Sequence, residues 1–258
     1  HATSNFGFED LYADSGGLQI VTAGKRVDDS MKADIYRTQS YARHAFCFDE
    51  IPCGNIEGLS MDGKSNRSNT ENKVYYEDRK TACATKTAHN IREQIETLDG
   101  LGTGTGVQYI VQGNNYQDMF EWFQDGTKVL TPEHFNRVSG IALADTCIGN
   151  GPMESIEMLV AYHLIRKEFG APCTKNHIHL LGLGSVRRLL PVLYLMNSGL
   201  LPKDLTISFD STTFSMSYFM GRFMASDGRK VEKDSSAYRQ MFHEVWQYFG
   251  DIYHKHVP

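Results

Sequence analysis

Short apolar segments, each ending in a polar residue or a glycine, recur along this chain and restrict its fold more than any other feature. The segments are rich in Ile, Leu, Val, Phe and Tyr, which is typical of strands buried on both faces. Their ends are at Asp14, Asp49, Gln112, Asp145, Gly184 and Asp210. The intervals between successive ends are 35, 63, 33, 39 and 26 residues. All but the longest fit one strand, one helix and their loops.

The stretches between these segments have the spacing of helices. A helical pattern occurs in PMESIEMLVAYHLIRKEFG, which starts beside Pro152 and stops at Gly170. A similar pattern occurs in SVRRLLPVLYLMNSG, with Ser185 as a candidate N-cap. Six β/α units predict a (β/α)8 barrel of the TIM type, of which one or two N-terminal strands are not in this chain. A doubly wound parallel sheet is the alternative.

Length and composition favour a single domain. The chain has 258 residues, of which 41% are hydrophobic and 22% are charged, so it can bury a core and is not typical of disordered chains. We therefore expect one barrel domain over residues 1–258, with a mobile insertion at about 54–73 and a C-terminal helix at about 234–250. The insertion is rich in Gly, Ser and Asn, which is typical of a loop.

The bulk properties also predict where the protein works. No apolar run approaches the roughly 18–20 residues that a membrane-spanning helix needs. The five cysteines are odd in number and contain no C-x-x-C pair, which favours reduced thiols in the cytoplasm over disulfides or a structural zinc site. The net charge of −5 argues against a general nucleic-acid coat protein. We expect a cytoplasmic protein without membrane partners.

Aspartates follow four of the predicted strands: Asp14, Asp49, Asp145 and Asp210. The carboxyl ends of barrel strands meet at one face, so these side chains are expected to converge. One carboxylate can then act as a nucleophile while another moves protons. The structural alternative for each is an N-cap of the following helix. His177 and His179 alternate along a predicted strand and have no partners at metal-ligand spacing, so we expect no metal site.

Five blocks of the sequence resemble, in order, motifs of the tRNA-guanine transglycosylase superfamily. ADSGGLQ is similar to (T)DSGGFQ, SYARHAFCFDEIP to LGSDIxMxFDE, and YIVQGNNYQDM to IxQGxxYxDLR. HIHLLGLGSVRRLLPVLYLMNSGL resembles RYLMGVGxPxDLxxxVxxGID, and LTISFDST resembles the MFDCV segment that follows it. Together the blocks cover most of residues 10–215.

The resemblance implies a role for each matching residue. Asp210 would be the nucleophile that attacks C1′ of a guanine nucleotide and forms a covalent ester, and Asp14 would be the general acid/base. Asp49 would accept hydrogen bonds from the ring N–H and the exocyclic amine of a guanine-like base. Gln112 would donate to the base carbonyl. The other implied substrate-binding residues are Ser15, Gly16, Gly17, Gly113, Asp145 and Gly149.

The chain departs from the tRNA enzymes in the elements most closely tied to tRNA. No cysteine follows Cys173, so the C-x-C-x-x-C cluster of their zinc subdomain is missing from the sequence. FDSTTFSMSYFMGRF replaces the basic stretch that follows MFDCV, and Asp145 replaces a glycine of GGLAVGE. This combination resembles the DpdA branch of bacterial islands and phages, the DNA-guanine transglycosylases. It implies exchange of guanine in DNA for a 7-deazaguanine such as preQ0, without a cofactor.

The implied partners are DNA, either single-stranded or with a flipped base, and the free 7-deazaguanine base. A phage-encoded enzyme would work in the host cytoplasm, and a homodimer is left open. One alternative is a tRNA-guanine transglycosylase with a divergent C-terminus. Others are a non-catalytic nucleic-acid-binding subunit and another barrel glycosidase that acts on nucleosides. The presence of both Asp14 and Asp210 argues against the non-catalytic subunit.

Overall fold

A computed structural model describes residues 11–16, 27–52, 69–113, 115–144, 153–170, 173–183, 186–210, 222–224 and 230–232, and six single positions between 235 and 247. The main sheet contains β1 (Tyr12–Ala13), β2 (His44–Phe46), β3 (Gly106–Val111), β4 (Val138–Leu143), β5 (His177–Leu180) and β6 (Thr206–Phe209). The helices are α1 (Asp29–Gln39), α2 (Asn69–Gly100), α3 (Tyr116–Thr127), α4 (Pro132–Arg137), α5 (Glu154–Phe169) and α6 (Val186–Asn197).

The six strands of the main sheet are all parallel and lie side by side in chain order. Each strand coincides with one of the apolar segments, so the predicted α/β class is confirmed. A doubly wound sheet reverses its strand order at a switch point. The order of these six described strands contains no reversal, because each connection moves one position along the sheet in the same direction.

The sheet is strongly curled. The hydroxyl of Tyr12 on β1 lies 3.3 Å from Nε2 of His177 on β5, although three strands separate β1 from β5. In a flat sheet, neighbouring strands about 4.8 Å apart would place these two strands roughly 19 Å apart. The Tyr12 ring also lies 5.7 Å from the ring of His179. Side chains on the concave face of the sheet therefore meet in its centre.

The helices cover the convex face and form the apolar core with it. The largest fully buried side chains come from strands β3 and β4 and from helices α1 to α5: Trp122, Tyr36, Tyr109, Tyr162, Phe123, Phe135, Ile91, Leu98, Met119, Ile141 and Leu143. Each such side chain contributes about 1.5–3 kcal/mol when it leaves water. The core therefore fixes each strand against its helices, and with it the position of the polar residues at the strand ends.

Helix boundaries follow the residues that begin and end them. Asp28 accepts a hydrogen bond from the Met31 amide at 2.8 Å and caps α1, and Asn115 caps α3 through the Asp118 amide at 3.0 Å. Helix α5 ends at Gly170, which adopts a φ of 63°, as the sequence predicts.

Helix α2 has 32 residues and explains the one long interval between predicted strands. It begins at Asn69, inside the segment predicted to be a mobile insertion. The part of that segment before residue 69 lies outside the described residues.

The C-terminal region contains a small hairpin that the sequence analysis does not predict. Strands β7 (Arg222–Met224) and β8 (Lys230–Glu232) pair in antiparallel fashion. The described positions at 236, 239, 240, 243 and 247 are helical and fall within the predicted helix at 234–250. Of the helices that the structure describes, none has the length and apolar character needed to cross a membrane.

Candidate active site at the carboxyl edge of the sheet

Four of the predicted site residues lie just beyond the carboxyl ends of four strands. Asp14 follows β1, Asp49 lies three residues beyond β2, Gln112 follows β3 and Asp210 follows β6. Since the strands are parallel, all four residues lie on the same edge of the sheet. Predictions for Gly17, Asp145 and Gly149 fall outside the described residues.

Asp49 and Gln112 form a buried pair. Nε2 of Gln112 donates a hydrogen bond of 2.6 Å to Oδ2 of Asp49. Gln112 is 2% exposed and Asp49 is 7% exposed. Burial raises the pKa of the Asp49 carboxyl to about 6, the bond from Gln112 opposes this shift, and the charges of Glu50 and Asp14 add to it. Asp49 therefore changes charge close to neutral pH, and the Asp14 carboxylate is near enough to affect it.

The other residues of the first motif surround Asp14. The side chain of Asp14 is exposed and Ser15 is buried. Gly16 has a φ of 69°, a left-handed conformation that favours glycine.

Gly113, in the motif that carries Gln112, also has a positive φ, of 151°, and a Cβ there would lie 3.0 Å from the Met119 amide nitrogen. Close packing against α3 is thus sufficient reason for a glycine at that position.

A polar face of α2 holds the segment that carries Asp49. Thr87, Asn90 and Gln94 are buried and lie on one face of the helix. The bonds run from Glu50 N to Thr87 Oγ1 at 2.9 Å, from Asn90 Nδ2 to Phe48 O at 2.9 Å and from Gln94 Nε2 to Phe46 O at 3.3 Å. The backbone beyond β2 is therefore fixed by helix side chains, although it no longer pairs as a strand.

A second buried amide joins the ends of β1 and β2. Nε2 of Gln39 donates to Phe46 O at 2.8 Å and to Asp14 O at 3.2 Å, while Gln94 Nε2 donates to Gln39 Oε1 at 2.7 Å. The same network therefore holds the backbone at Asp14 and the segment that leads to Asp49. Gln39 and Gln94 are not among the site residues predicted from the sequence. For Gln94, one sequence feature could have indicated a buried polar contact: this glutamine lies on a helix face beside the apolar residues Ile91 and Ile95.

We expect Gln94→Leu to lower the free energy of unfolding by about 1–3 kcal/mol, because it leaves the buried Gln39 Oε1 without this donor. Urea unfolding measures the change. Gln117→Leu is the matched control, since Gln117 is also a helical glutamine with a 2.8 Å side-chain bond but is exposed. The control should change stability by less than about 0.5 kcal/mol. Equal effects of both variants would contradict the proposed network.

Asp210 is held through one of its two oxygens. Its Oδ1 lies 3.2 Å from Nε2 of His179 and 2.8 Å from the amide nitrogen of Gly182. The Asp210 side chain is 52% exposed and the His179 side chain only 6%. The hydrogen bond from His179, against the opposing effect of partial burial, lowers the pKa of Asp210, and the Gly182 amide contributes to the lowering. Asp210 is therefore a carboxylate at neutral pH, with a fixed orientation and access to solvent.

His179 and Gly182 contact Asp210 and are not among the predicted site residues. Gly182 lies in the turn after β5 with a φ of 70°, and the turn directs its N–H toward Asp210. His179 reaches Asp210 because β5 and β6 are neighbours, and its ring lies against Tyr12. Tyr12 is two residues before Asp14, and His179 contacts both Tyr12 and Asp210. These contacts therefore link strand β1, which leads to Asp14, with Asp210 at the end of β6.

No known family model matches the chain, and no curated protein matches it either. Residues that the structure describes contain no group of three or more His, Cys, Asp or Glu arranged to hold a metal ion.

Proposed function

We propose that the protein is a transglycosylase that exchanges guanine in DNA for a 7-deazaguanine base, and that it is a member of the tRNA-guanine transglycosylase superfamily. The observation that carries the proposal is that two carboxylates in different environments lie on the same edge of the sheet. Asp210 is ionised and half-exposed, as a nucleophile must be. Asp49 is buried against an amide, as a reader of a planar base must be.

The shape of the sheet supports a (β/α)8 barrel with its active site at the carboxyl face. Six parallel strands in chain order, curled until β1 and β5 share a side-chain contact, are what most of such a barrel requires. Enzymes of that architecture place their catalytic groups at the carboxyl ends of the strands, where Asp14, Asp49, Gln112 and Asp210 lie.

The contacts of Asp210 assign different tasks to its two oxygens. Oδ2 attacks C1′ of the target nucleotide while the C1′–N9 bond breaks, and its electron pair leaves with guanine, which Asp14 protonates. Oδ1 then becomes the ester carbonyl and keeps both hydrogen bonds, from His179 and Gly182. In the second step N9 of the incoming base attacks C1′ as Asp14 removes its proton. Asp210 leaves as a carboxylate, which the same two donors stabilise.

The Asp49–Gln112 pair accounts for recognition of both bases. The carboxylate of Asp49 accepts from the ring N–H and the exocyclic amine, and Gln112 donates to the neighbouring carbonyl. Guanine and 7-deazaguanines present the same groups along that edge, so one pocket serves the leaving and the incoming base.

We expect the affinity for preQ0 to fall about tenfold per pH unit below roughly pH 6, because a protonated Asp49 no longer offers two acceptor oxygens to the base. Calorimetric titration between pH 5 and pH 8 measures the affinity, with circular dichroism to show that the fold persists. In Asp49→Asn the residual affinity should be independent of pH over this range. A pH-independent wild-type affinity would argue against Asp49 as the base reader.

Labelled preQ0 offered with either DNA or tRNA tests the proposed substrate. We expect label in DNA and none in tRNA, because FDSTTFSMSYFMGRF replaces the basic stretch of the tRNA enzymes. Label in tRNA alone would overturn the choice of DNA and retain the chemistry. Label in neither, with Asp210 intact, would overturn base exchange itself.

A further inference from the structure

The concave face of the sheet is polar. Interiors of (β/α)8 barrels are normally filled by branched apolar side chains. Here the strands contribute aromatic, amide, imidazole and hydroxyl groups that bond to one another across the sheet: Tyr12, His44, Gln108, Ser139, His177, His179 and Ser208. Gln108 and His179 are buried and the other five residues are half-buried. Burying polar groups is costly unless they are hydrogen-bonded, so the contacts of Gln108 and His179 call for an explanation beyond packing.

One line of hydrogen bonds runs through this face to the proposed nucleophile. Nε2 of Gln108 lies 3.4 Å from Nδ1 of His177. Nε2 of His177 lies 2.8 Å from Oγ of Ser208, which lies 2.9 Å from Nδ1 of His179. Nε2 of His179 lies 3.2 Å from Oδ1 of Asp210. Four consecutive contacts therefore join an amide in the middle of β3 to the carboxylate beyond β6.

The two ends of this line determine its direction. An ionised Asp210 can only accept, so Nε2 of His179 carries a hydrogen; in a neutral ring Nδ1 then accepts from the Ser208 hydroxyl. The Ser208 oxygen then accepts from Nε2–H of His177. At the far end the amide nitrogen of Gln108 can only donate, which matches an accepting Nδ1 on His177. For neutral rings, this pattern of donors and acceptors places the hydrogen of each imidazole on Nε2.

The neighbouring residues are consistent with this arrangement. An added Cβ at Gly140 would lie 2.6 Å from Nδ1 of His177 and closer still to Oε1 of Gln108, so the absence of a side chain there leaves room for the Gln108–His177 contact. The Phe46 ring lies 4.8 Å from the His179 ring, and the Tyr12 hydroxyl also contacts Nε2 of His177. Among the residues that the structure describes, the groups that contact His179 are thus Asp210, Ser208, Tyr12 and Phe46.

We propose that Ser208 and His177 are positioning residues for Asp210, which lock His179 in the tautomer that presents a donor to Oδ1. The inference rests on the proposed role of Asp210 as the nucleophile. If His179 adopted the other tautomer, its Nε2 lone pair would face the carboxylate. Oδ1 would then lose one of its two donors, and Asp210 would be less well oriented in the first step and a poorer leaving group in the second.

Nitrogen-15 NMR of the histidine rings tests the lock without any substrate. In the wild-type protein, His179 and His177 should each show a single Nε2–H tautomer. Ser208→Ala should give a mixture of tautomers at His179, and Ser208→Thr, which keeps the hydroxyl, should restore the single form. Ser139→Ala is the matched control: its hydroxyl bonds to His44 and to Gln108 at the far end of the line, three contacts away from His179, so the tautomer of His179 should not change.

Kinetics provide a second readout. We expect Ser208→Ala to slow formation of the covalent DNA adduct by about tenfold or more, with an unchanged affinity for preQ0 and with the acid limb of the pH–rate profile moved to higher pH. His177→Met should act in the same direction, since it removes the donor to Ser208 from the other side, and it replaces Ser208→Ala if that variant does not fold.

A single Nε2–H tautomer of His179 in both Ser208→Ala and His177→Met would overturn the proposal, as would an equal disturbance in Ser139→Ala. The expected tautomer changes in a protein that forms no adduct with DNA or tRNA would support the lock and overturn the proposed function instead.

Discussion

Asp210→Asn is expected to reduce covalent adduct formation and base exchange by about 10⁴-fold or more while the fold is retained. The asparagine carbonyl can accept the same bonds that His179 and Gly182 now donate to Oδ1. The amide nitrogen then takes the place of Oδ2, and a neutral amide is a poor nucleophile. Denaturing gels with a guanine-containing oligodeoxynucleotide measure the adduct, and thermal unfolding shows whether the fold is unchanged.

Asp204→Asn is the matched control for this substitution. Asp204 lies before β6 at the opposite edge of the sheet and its side chain is 60% exposed, so exchange should stay within about twofold of wild type. An adduct that survives in Asp210→Asn would exclude Asp210 as the nucleophile. Loss of the adduct in both variants would indicate a general effect of removing charge.

The strands and the strand-end residues could be predicted because their signals are local. A buried parallel strand needs a short apolar run, and the residue after the run must lie at the carboxyl edge whatever the rest of the chain does. Asp14 and Asp210 follow their strands directly, and Asp49 and Gln112 lie close beyond theirs. All four lie on one edge of the parallel sheet, as the strand-end argument predicts for the three aspartates.

The partners of these residues could not be predicted because they depend on the curl of the sheet and on helix rotation. Tyr12 and His177 are 165 positions apart and meet only because the sheet bends. Gln94 reaches the end of β2 because one face of α2 is turned toward it. Alternation along β5 marked His177 and His179 as sharing a face, but nothing local indicates that Asp210 lies beside that face.

The hairpin in the C-terminal region was missed for a different reason. Its strands have three residues each, too few for an alternating pattern to stand out from a loop. The same limit applies to β1, which has two residues and was found through the aspartate that follows it and through the glycines of its motif.

Asp49→Asn is expected to stabilise the protein at neutral pH and to weaken base binding. The pKa of Asp49 rises from 3.8 to about 6 on folding, chiefly because the charged form is buried. Between these values the folded state binds more protons than the unfolded state, so the free energy of unfolding falls as the pH rises through this window. Above it the full penalty, about 3 kcal/mol, is present. Asparagine is neutral at every pH and avoids it.

The difference in stability between Asp49→Asn and the wild-type protein should therefore be largest above pH 6 and vanish below about pH 4. The affinity for preQ0 at pH 7 should drop by about 100-fold, because the new amide directs N–H groups at the N–H groups of the base. Denaturant unfolding at several pH values and calorimetry measure the two effects. Asp118→Asn is the control of opposite sign: Asp118 is equally buried but lies 3.1 Å from Nζ of Lys80, so neutralising it should destabilise the fold. If Asp49→Asn is less stable and still binds preQ0, this carboxylate supports the fold and does not bind the base. A gain in stability together with a loss of affinity is the result expected of a binding site that reduces the stability of the fold.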